Sequence, residues 1–356
     1  MKQQPHPRKL CIAYHMPYPG TIYAYRTIYT GFKAAFEDKG HVFIPCTPDD
    51  DLKEFLDKYN PDIFMTFSHF FYRKFLDYKV LKKHRDRGML LLTKIDFWQS
   101  PLSKGRINEA PSMKDDAAAK KLIKQGLLGD VYYSTASQGD GRMAGFEEFA
   151  GQPFVTIPLA ADSISLRPVY DEKFASDIAF LGTNLPQKRE FFKEWLYPLK
   201  KEYDLRLYGQ DWTAYDRWLG KATKLGQYFN IPVLKTLQKP KVQIEEEAKM
   251  YASSKILVNL HEDYQRQYGG DCNERTFRVP FCGGFEISDD VAVIRDYLKD
   301  GKEIVIAKDK ADWFDKIRYY YDHPKEAEKI AKAGQKRVRK DHTYHNRVDQ
   351  IIGLLS

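Results

Sequence analysis

Short apolar runs alternate with amphipathic segments along this chain, and that alternation constrains the fold more than any other feature. In the first half the apolar runs, which have the length and composition of buried strands, lie at residues 9–14, 41–45, 61–67, 89–95, 131–135 and 154–159. The segments with helical spacing between them lie at residues 23–39, 49–58 and 72–87. Because a helix between two strands returns the chain to the same edge of a sheet, this pattern predicts parallel βαβ units.

The same pattern restarts after an aperiodic stretch that contains Pro168. The second set of predicted strands lies at residues 177–181, 205–208, 255–260 and 304–306, with predicted helices at 187–201, 245–253, 311–322, 324–341 and 344–355. Residues 213–240 show no clear period and are predicted to be irregular. We expect an α/β protein with an N-terminal Rossmann-like domain at 1–160, a linker at 161–176, a second Rossmann-like domain at 177–340 and a C-terminal helix at 341–356.

Composition is compatible with this plan. A length of 356 residues suits two domains, and 43% hydrophobic with 30% charged residues favours a folded protein over a disordered one. The four cysteines form no Cys-x-x-Cys pair, which favours a reduced, cytoplasmic setting. No apolar run approaches the length of a transmembrane helix. The net charge of +8 is spread along the chain and suits anionic ligands.

Ligands of such sheets bind beyond the carboxyl ends of the strands, so the loops that follow strands hold the candidate site residues. Asp96 follows the apolar run 89–95, where it either contacts a substrate hydroxyl or serves as a turn or helix-capping residue. His15 follows the first strand and is a second candidate, although a lone histidine there is also a common structural residue.

In the second half, Gly182, Thr183 and Asn184 form a loop between a strand and a helix that begins with two cations, Lys188 and Arg189. The loop is compatible with a simple tight turn. The two cations favour a phosphate-binding loop, since a guanidinium and an ammonium both pair with phosphate oxygens.

Residues 272–289 read as a polar loop, a short helix, a Gly-Gly turn and a strand that ends in Asp289. Glu274, Arg275 and Arg278 lie at or near the start of that helix, where a phosphate would be stabilised, or they form a solvated polar loop. The acidic run at residues 49–51 is explained as the start of a helix, so no metal site is predicted.

The ordered motifs of the second half resemble the spore-maturation CgeB-like glycosyltransferases. The motifs that carry the resemblance are Phe180-Leu181-Gly182-Thr183-Asn184, Leu207-Tyr208-Gly209-Gln210-Asp211-Trp212, Asn273-Glu274-Arg275-Thr276-Phe277, Phe281-Cys282-Gly283-Gly284, Asp289, Gly301-Lys302-Glu303, Tyr319-Tyr320 and Asp341-His342-Thr343-Tyr344. They span residues from about 177 to about 350, whereas the first half shares only the general βα plan.

The resemblance implies a GT-B fold of two facing Rossmann-like domains and transfer of a sugar from a nucleotide-diphosphate donor to a hydroxyl acceptor. It implies retention of the anomeric configuration, no cofactor and no essential metal, and a donor site in the second domain with the acceptor, a carbohydrate or another hydroxyl compound, on the first. The donor-site positions are Gly182, Thr183, Asn184, Lys188, Arg189, Glu274, Arg275, Thr276, Phe277 and Arg278. Asp96 and His15 are the corresponding catalytic candidates.

Arg278 departs from the family pattern, which has a ribose-binding glutamate after the aromatic residue of the Arg-Thr-Phe motif. A guanidinium accepts no hydrogen bonds, so another group, such as Glu274, would have to bind the ribose. A non-catalytic protein that binds nucleotides or carbohydrates on the same fold therefore stays open as an alternative. A glycosyltransferase that acts on modified DNA is a further alternative, suggested by the positive net charge.

Overall fold

The structure is a computed structural model that describes residues 8–16, 23–100, 112–229, 231–238 and 242–355. The chain divides into two compact units. Unit 1 comprises Met1–Asp162, Tyr268–Asp271 and Tyr344–Ser356, and unit 2 comprises Ser163–Gln267 and Cys272–Thr343. The last helix, which the sequence pattern left as a separate C-terminal segment, therefore belongs to the first compact unit.

Unit 1 is built on a six-stranded parallel sheet with the strand order β2-β1-β3-β4-β5-β6. Its strands are β1 Cys11–His15, β2 Val42–Cys46, β3 Ile63–Phe67, β4 Leu90–Lys94, β5 Val131–Ser134 and β6 Phe154–Thr156. Its helices are α1 Tyr23–Asp38, α2 Leu52–Tyr59, α3 Phe70–Arg73, α4 Tyr78–Arg85, α5 Ala117–Lys124, α6 Phe146–Ala150 and α16 Tyr344–Ile352. The sheet is apolar on both faces, as expected for parallel strands covered by helices.

The predicted single helix at residues 72–87 is wrong, because two helices occupy that region. Helix α3 ends at Arg73, and α4 starts again at Tyr78. Asp77 lies between them in an extended conformation, and its carboxylate accepts hydrogen bonds from the backbone N–H groups of Lys79 and Val80. That carboxylate caps a new helix start, which interrupts the helix suggested by the apolar spacing.

Helix α16 completes unit 1 by packing against α1. The Tyr344 ring lies edge-on to Phe32 with 4.9 Å between ring centroids. Gly31 makes this approach possible, since a Cβ at that position would come within 2.2 Å of the Tyr344 ring. Arg347 fixes the helix further by donating to the carbonyl oxygen of Pro158 at 2.9 Å.

Unit 2 contains a five-stranded parallel sheet with the order β11-β10-β9-β7-β8. Its strands are β7 Ser176–Leu181, β8 Leu205–Tyr208, β9 Ser254–Asn259, β10 Glu286–Asp289 and β11 Val305–Ala307. The helices that follow β6 are α7 Arg189–Trp195, α8 Ala214–Tyr228, α9 Pro232–Lys235, α10 Ile244–Ser253, α11 Asp263–Tyr268, α12 Arg275–Phe281, α13 Ile294–Tyr297, α14 Lys310–Asp322 and α15 Pro324–Asp341. Phe180, Phe192 and Trp313 are among the buried side chains of this unit's core.

Two predictions for unit 2 are wrong. The region 187–201 is one α-helix, α7, between two 3₁₀ turns rather than a single helix, because Pro198 has no N–H with which to continue it. The region 213–240, predicted to be irregular, contains α8 and α9. Thr213 caps α8 by accepting a hydrogen bond from the Asp216 N–H at 3.1 Å.

Candidate functional site

Two cationic side chains meet at the carboxyl edge of the unit 2 sheet. Lys188 Nζ and Arg275 Nη2 both donate to the carbonyl oxygen of Leu260, at 3.1 and 3.0 Å. Leu260 directly follows β9, Lys188 lies in the turn after β7, and Arg275 begins α12. Parallel strands end at one edge of the sheet, and this is why residues more than 70 positions apart in the chain reach one oxygen.

The loop after β7 is fastened to the loop after β8. The Gly182 N–H donates to the Tyr208 carbonyl at 3.0 Å, and the Asn184 N–H donates to the Gln210 carbonyl at 2.9 Å. Gly209 has φ +110°, and a Cβ there would lie 2.3 Å from the Gly182 oxygen, so only glycine fits this close approach. The Gly182-Thr183-Asn184 loop is therefore held rigidly beside Arg275, whose Nη1 lies 3.6 Å from the position of a Cβ on Gly182.

One carboxylate balances the Lys188 cation. Glu262 lies 3.2 Å from Lys188 Nζ, and Lys188 itself is buried. Burial lowers the pKa of Lys188, the Glu262 carboxylate opposes that shift, and the neighbouring Arg275 adds to it. An added anion would relieve the repulsion between the two cations, so the local charge favours an anionic ligand.

Asn259, the last residue of β9, organises the polar groups around Arg275. Its Oδ1 accepts from Arg275 Nε at 2.9 Å and from Asn273 Nδ2 at 2.8 Å. Its Nδ2 donates to Glu286 Oε1 at 2.7 Å and to the Thr276 hydroxyl at 3.2 Å. The guanidinium of Arg275 is thus held in one orientation by the amide of a strand residue.

Glu286, the first residue of β10, is a buried carboxyl group in this network. Burial raises its pKa to about 8, against the opposing effects of Asn259 and Arg275. Its Oε2 has no hydrogen-bond partner among the described residues, and the same holds for Asn184 Oδ1 and Arg189 Nε. Buried polar atoms without a partner are uncommon in folded proteins, so each of these three is a candidate for a ligand or water contact.

A histidine–aspartate pair lies beneath this edge. The carboxylate of Asp289 faces the ring Nδ1 of His261 at 2.6 Å and accepts from the backbone N–H of His261 at 3.0 and 3.1 Å. Burial opposes ionisation of Asp289, but His261 and Arg266 outweigh it and lower the pKa of this carboxyl. Arg266 also donates to the His261 carbonyl at 2.7 Å, so the loop after β9 is fixed from both sides.

Arg278, one turn along α12 from Arg275, forms a buried ion pair. Its guanidinium donates to Glu247 Oε2 at 2.8 Å, and Glu274 lies 3.8 Å from it. The other oxygen of Glu247 accepts from the Tyr251 hydroxyl at 2.7 Å. A carboxylate from α10 therefore neutralises the cation that stands where the family pattern has glutamate.

The remaining predicted residues of this motif are largely enclosed. Phe277 is buried against Tyr297 and His342, with ring centroids 5.4 and 5.3 Å apart. Thr276 is buried beside Asn259, whereas Glu274 is half-buried. Of the predicted donor-site residues, the structure brings Gly182, Lys188 and Arg275 together and places Phe277 in the core.

In unit 1, His15 ends β1 and Asp96 follows β4, and β3 separates these two strands in the sheet. Asp96 is half-buried, and its backbone N–H donates to Ser68 Oγ at 2.8 Å. Burial raises the pKa of Asp96, while His69, Lys94 and Arg73 oppose that rise. His15 is buried beside Thr66, whose hydroxyl lies 2.9 Å from the ring, and burial lowers its pKa to about 4.

The sequence did not indicate the buried ion pairs that Arg142 forms in unit 1. Arg142 is fully buried, pairs with Asp140 through Nε at 2.9 Å and with Asp271 at 2.5 Å, and stacks on Phe97 at 3.9 Å. Gly270 allows this arrangement, because a Cβ there would lie 2.2 Å from Asp140. The pair fastens the segment Tyr268–Asp271 to unit 1.

The sequence did not single out four residues of the site, namely Glu262, Asn259, Glu286 and Arg266. Asn259 had a usable signal, since a polar residue closes an apolar strand there. Glu286 and Arg266 had none. Within the described residues no cluster of three or more His, Cys, Asp or Glu side chains is arranged to hold a metal ion. None of the helices described is both long and apolar enough to cross a membrane.

Known proteins resemble this chain over about half of its length. Residues 188–353 match the family described as glycosyl transferase-like. The spore protein CgeB of Bacillus subtilis (strain 168) is 23% identical over 200 residues, which are 54% of this chain and 58% of that protein. The match thus spans less than two thirds of the curated relative.

Two solved structures extend the likeness to nearly the whole chain. The catalytic domain of starch synthase IV from Arabidopsis thaliana, bound to ADP and acarbose, has a TM-score of 0.63 at 12% identity and covers 98% of this chain and 99% of that one. An alpha-glucosyltransferase in complex with UDP and DNA has a TM-score of 0.58 at 10% identity, with coverages of 98% and 99%. These likenesses and the two parallel sheets confirm the predicted GT-B fold, and within that fold residues 188–353 are similar to the family described as glycosyl transferase-like.

Proposed function

We propose that this protein transfers a sugar from a nucleotide-diphosphate donor to a hydroxyl acceptor, with the donor diphosphate bound by unit 2. The observation that carries the proposal is the convergence of Lys188 and Arg275 on one carbonyl oxygen. Two cations held within hydrogen-bonding reach of one point suit a group that carries two adjacent negative charges. The structural neighbours with bound ADP and UDP support the same reading.

In the proposed reaction, the bond between the anomeric carbon and the oxygen of the β-phosphate breaks. A bond from that carbon to the acceptor oxygen forms, and the acceptor's hydroxyl proton passes to the departing diphosphate. Negative charge grows on the diphosphate as the bond breaks, and Lys188 and Arg275 stabilise it most at that moment. Arg189, Thr183 and Asn184, from the turn after β7, are proposed as further donor contacts.

We propose that the anomeric configuration is retained and that no metal ion is needed. The resemblance to the CgeB-like family supports retention, and the two cations supply the charge that a metal would otherwise provide. The anomer of the product, read by NMR, tests the first statement. Turnover that is unchanged by a chelator supports the second, whereas strong activation by added Mg²⁺ would contradict it.

The acceptor is proposed to bind unit 1, where Asp96 lies two residues beyond the end of β4. A half-buried carboxylate accepts a hydrogen bond from a sugar hydroxyl, and this is the contact we assign to it. A DNA acceptor is a second candidate, favoured by the net charge of +8 and by the DNA-bound neighbour. Steep loss of DNA binding with rising salt would support it, and the absence of binding at low salt would remove it.

A panel of nucleotide sugars, assayed for release of the nucleoside diphosphate with and without candidate acceptors, tests the proposal. At least one donor should be consumed by the wild-type protein, and Lys188→Met should slow that reaction by about tenfold or more. Lys193→Ala, a change at an exposed lysine five positions along the chain, is the matched control and should leave the rate unchanged. Binding of a donor without any turnover, in every combination tested, would instead favour a non-catalytic binding protein.

A further inference from the structure

Helix α8 of unit 2 is amphipathic, but large apolar side chains lie on its solvent-exposed side. Tyr215 and Trp218 are 69% and 62% exposed, and Leu225 and Phe229 are 54% and 62% exposed. These positions recur at intervals of three, seven and four residues, which places them on one side of a helix. Isolated apolar residues on a surface need no explanation, but an aligned stripe of three aromatic side chains and a leucine does.

The opposite side of α8 carries the small and polar residues, and it is the buried side. Asp216, Gly220, Thr223 and Gly226 are all buried. Gln238, which follows α9, packs against them: its N–H donates to Thr223 Oγ1 at 3.0 Å, and its side-chain amide donates to the Asp216 carbonyl at 3.1 Å. Because these hydrogen bonds set the rotation of α8, its apolar stripe cannot turn inwards without breaking them.

The segment that follows α8 also exposes apolar side chains. Ile231, Val233 and Leu237 are 39%, 72% and 36% exposed. We define the α8–α9 face as Tyr215, Trp218, Leu225, Phe229, Ile231, Val233 and Leu237.

The charges next to this face are positive. Lys221 and Lys224 are exposed on α8 between Trp218 and Leu225. The acidic residue of the same helix, Asp216, is buried and lies on the inner side. Exposed tryptophan and tyrosine rings flanked by lysines are the combination that inserts at the boundary between lipid headgroups and acyl chains, where aromatic rings keep a polar edge in water and lysines meet anionic phosphates.

We propose that the α8–α9 face docks unit 2 onto an anionic lipid membrane surface. Tyr215, Trp218, Leu225 and Phe229 enter the headgroup boundary, and Lys221 and Lys224 contact the lipid phosphates. A protein partner with an apolar groove would need only the rings, whereas the two exposed lysines beside the stripe favour a surface that is both apolar and negatively charged. The association is peripheral and reversible, since a single short helix face supplies it.

The test is co-sedimentation of the full chain with two kinds of vesicle. One is pure phosphatidylcholine, and the other replaces about a third of it with phosphatidylglycerol. We expect binding to the anionic vesicles, weaker binding to the neutral ones, and a loss of binding as salt rises. Trp218→Ser with Leu225→Ser should lower the partition coefficient by about tenfold or more, and Lys221→Gln with Lys224→Gln by a similar factor.

Matched variants make the outcome specific. Tyr170→Ser removes a ring that is equally exposed elsewhere in unit 2, and Lys200→Gln with Lys201→Gln removes two exposed charges from a different turn. Neither should alter vesicle binding. All variants change exposed side chains, and unaltered thermal unfolding shows that they fold.

Three results would overturn the proposal. The first is absence of sedimentation with anionic vesicles at low salt. The second is equal binding by the stripe variants and their controls. The third is a concentration-dependent dimer in sedimentation velocity that Trp218→Ser abolishes while vesicles remain unbound, since that would assign the face to a second copy of the chain.

Discussion

Lys188 and Arg275 donate hydrogen bonds to the same atom, the carbonyl oxygen of Leu260, at 3.1 and 3.0 Å. Each is also held by a second group, Lys188 by Glu262 and Arg275 by Asn259. Repulsion between the two cations is therefore offset by fixed acceptors before any ligand binds. Such preorganised positive charge stabilises a leaving diphosphate without reorganisation during the reaction.

The buried carboxyl group of Glu286 should make unfolding depend on pH in a defined window. Its pKa is raised from the ordinary value of 4.5 to about 8, so the folded protein keeps a proton that the unfolded chain has lost. The free energy of unfolding that this group contributes falls as pH rises from about 4.5 to about 8 and is constant outside that window. At neutral pH the burial of Glu286 then costs about 3 kcal/mol.

Glu286→Gln should remove that dependence, because a glutamine keeps an oxygen for Asn259 and has no charge to bury. Thermal unfolding of both proteins between pH 5 and pH 8, values chosen within this window, measures the effect. We expect the variant to gain stability over the wild type towards the upper end. An identical slope of Tm against pH in the two proteins would show that Glu286 does not titrate there.

Arg278 and Glu247 should behave as a coupled buried pair. Arg278→Met leaves the Glu247 carboxylate buried without its cation, which typically costs about 3–5 kcal/mol. Glu247→Gln in the same chain removes that charge, and the double variant should regain a large part of the loss. A double-mutant cycle by chemical denaturation checks this, and simple additivity of the two single effects would contradict the pairing.

Asp96→Asn should lower kcat/KM for the acceptor without changing binding of the donor nucleotide. An uncharged amide oxygen accepts the acceptor's hydroxyl hydrogen bond more weakly than a carboxylate does, so kcat/KM for the acceptor should fall by about tenfold. Nucleoside diphosphate binding, measured by calorimetry, should be unchanged. Asp115→Asn in the same unit is the control and should change neither quantity. Equal acceptor kinetics in wild type and Asp96→Asn would remove Asp96 from the acceptor site.

Gly209 should tolerate no side chain. Alanine there would adopt a strained φ of +110° and place its Cβ 2.3 Å from the Gly182 oxygen, so the loop after β7 must move. Gly209→Ala should lower Tm by several degrees and weaken nucleoside diphosphate binding. Gly139→Ala is the matched control, since a Cβ on Gly139 meets no atom within 4 Å. Normal binding by Gly209→Ala would show that the loop position does not matter to the ligand.

Much of the fold was predictable because each buried parallel strand is a short run of consecutive apolar residues in the sequence. The strand predicted at residues 205–208 coincides with β8, and Asp289 ends β10 as its pattern indicated. The split of residues 72–87 was missed because a single capping aspartate, Asp77, outweighs the apolar spacing around it. Helix α8 was missed for another reason: its apolar side faces solvent, whereas pattern reading assumes that such a side faces the core.

The site was only partly accessible from the sequence. Lys188 and Arg275 could be named from motifs, but their meeting at Leu260 depends on the ends of separate strands and helices. Glu247 stands 31 positions before Arg278, and no local pattern links the two. The ion pair that Arg278 of α12 forms with Glu247 of α10 gives this arginine a buried partner that the motif alone did not indicate.

Calorimetric titration with a nucleoside diphosphate and with the corresponding monophosphate tests the central assignment most directly. The base is first chosen by a screen with UDP and ADP, the nucleotides of the structural neighbours. We predict that the diphosphate binds the wild type more tightly than the monophosphate, and that Lys188→Met and Arg275→Met each abolish most of that difference. Arg295→Met, at an exposed arginine paired with Asp290, should retain it. Equal affinity for the two nucleotides in the wild type, or an unchanged preference in both site variants, would contradict the assignment of Lys188 and Arg275 to the diphosphate.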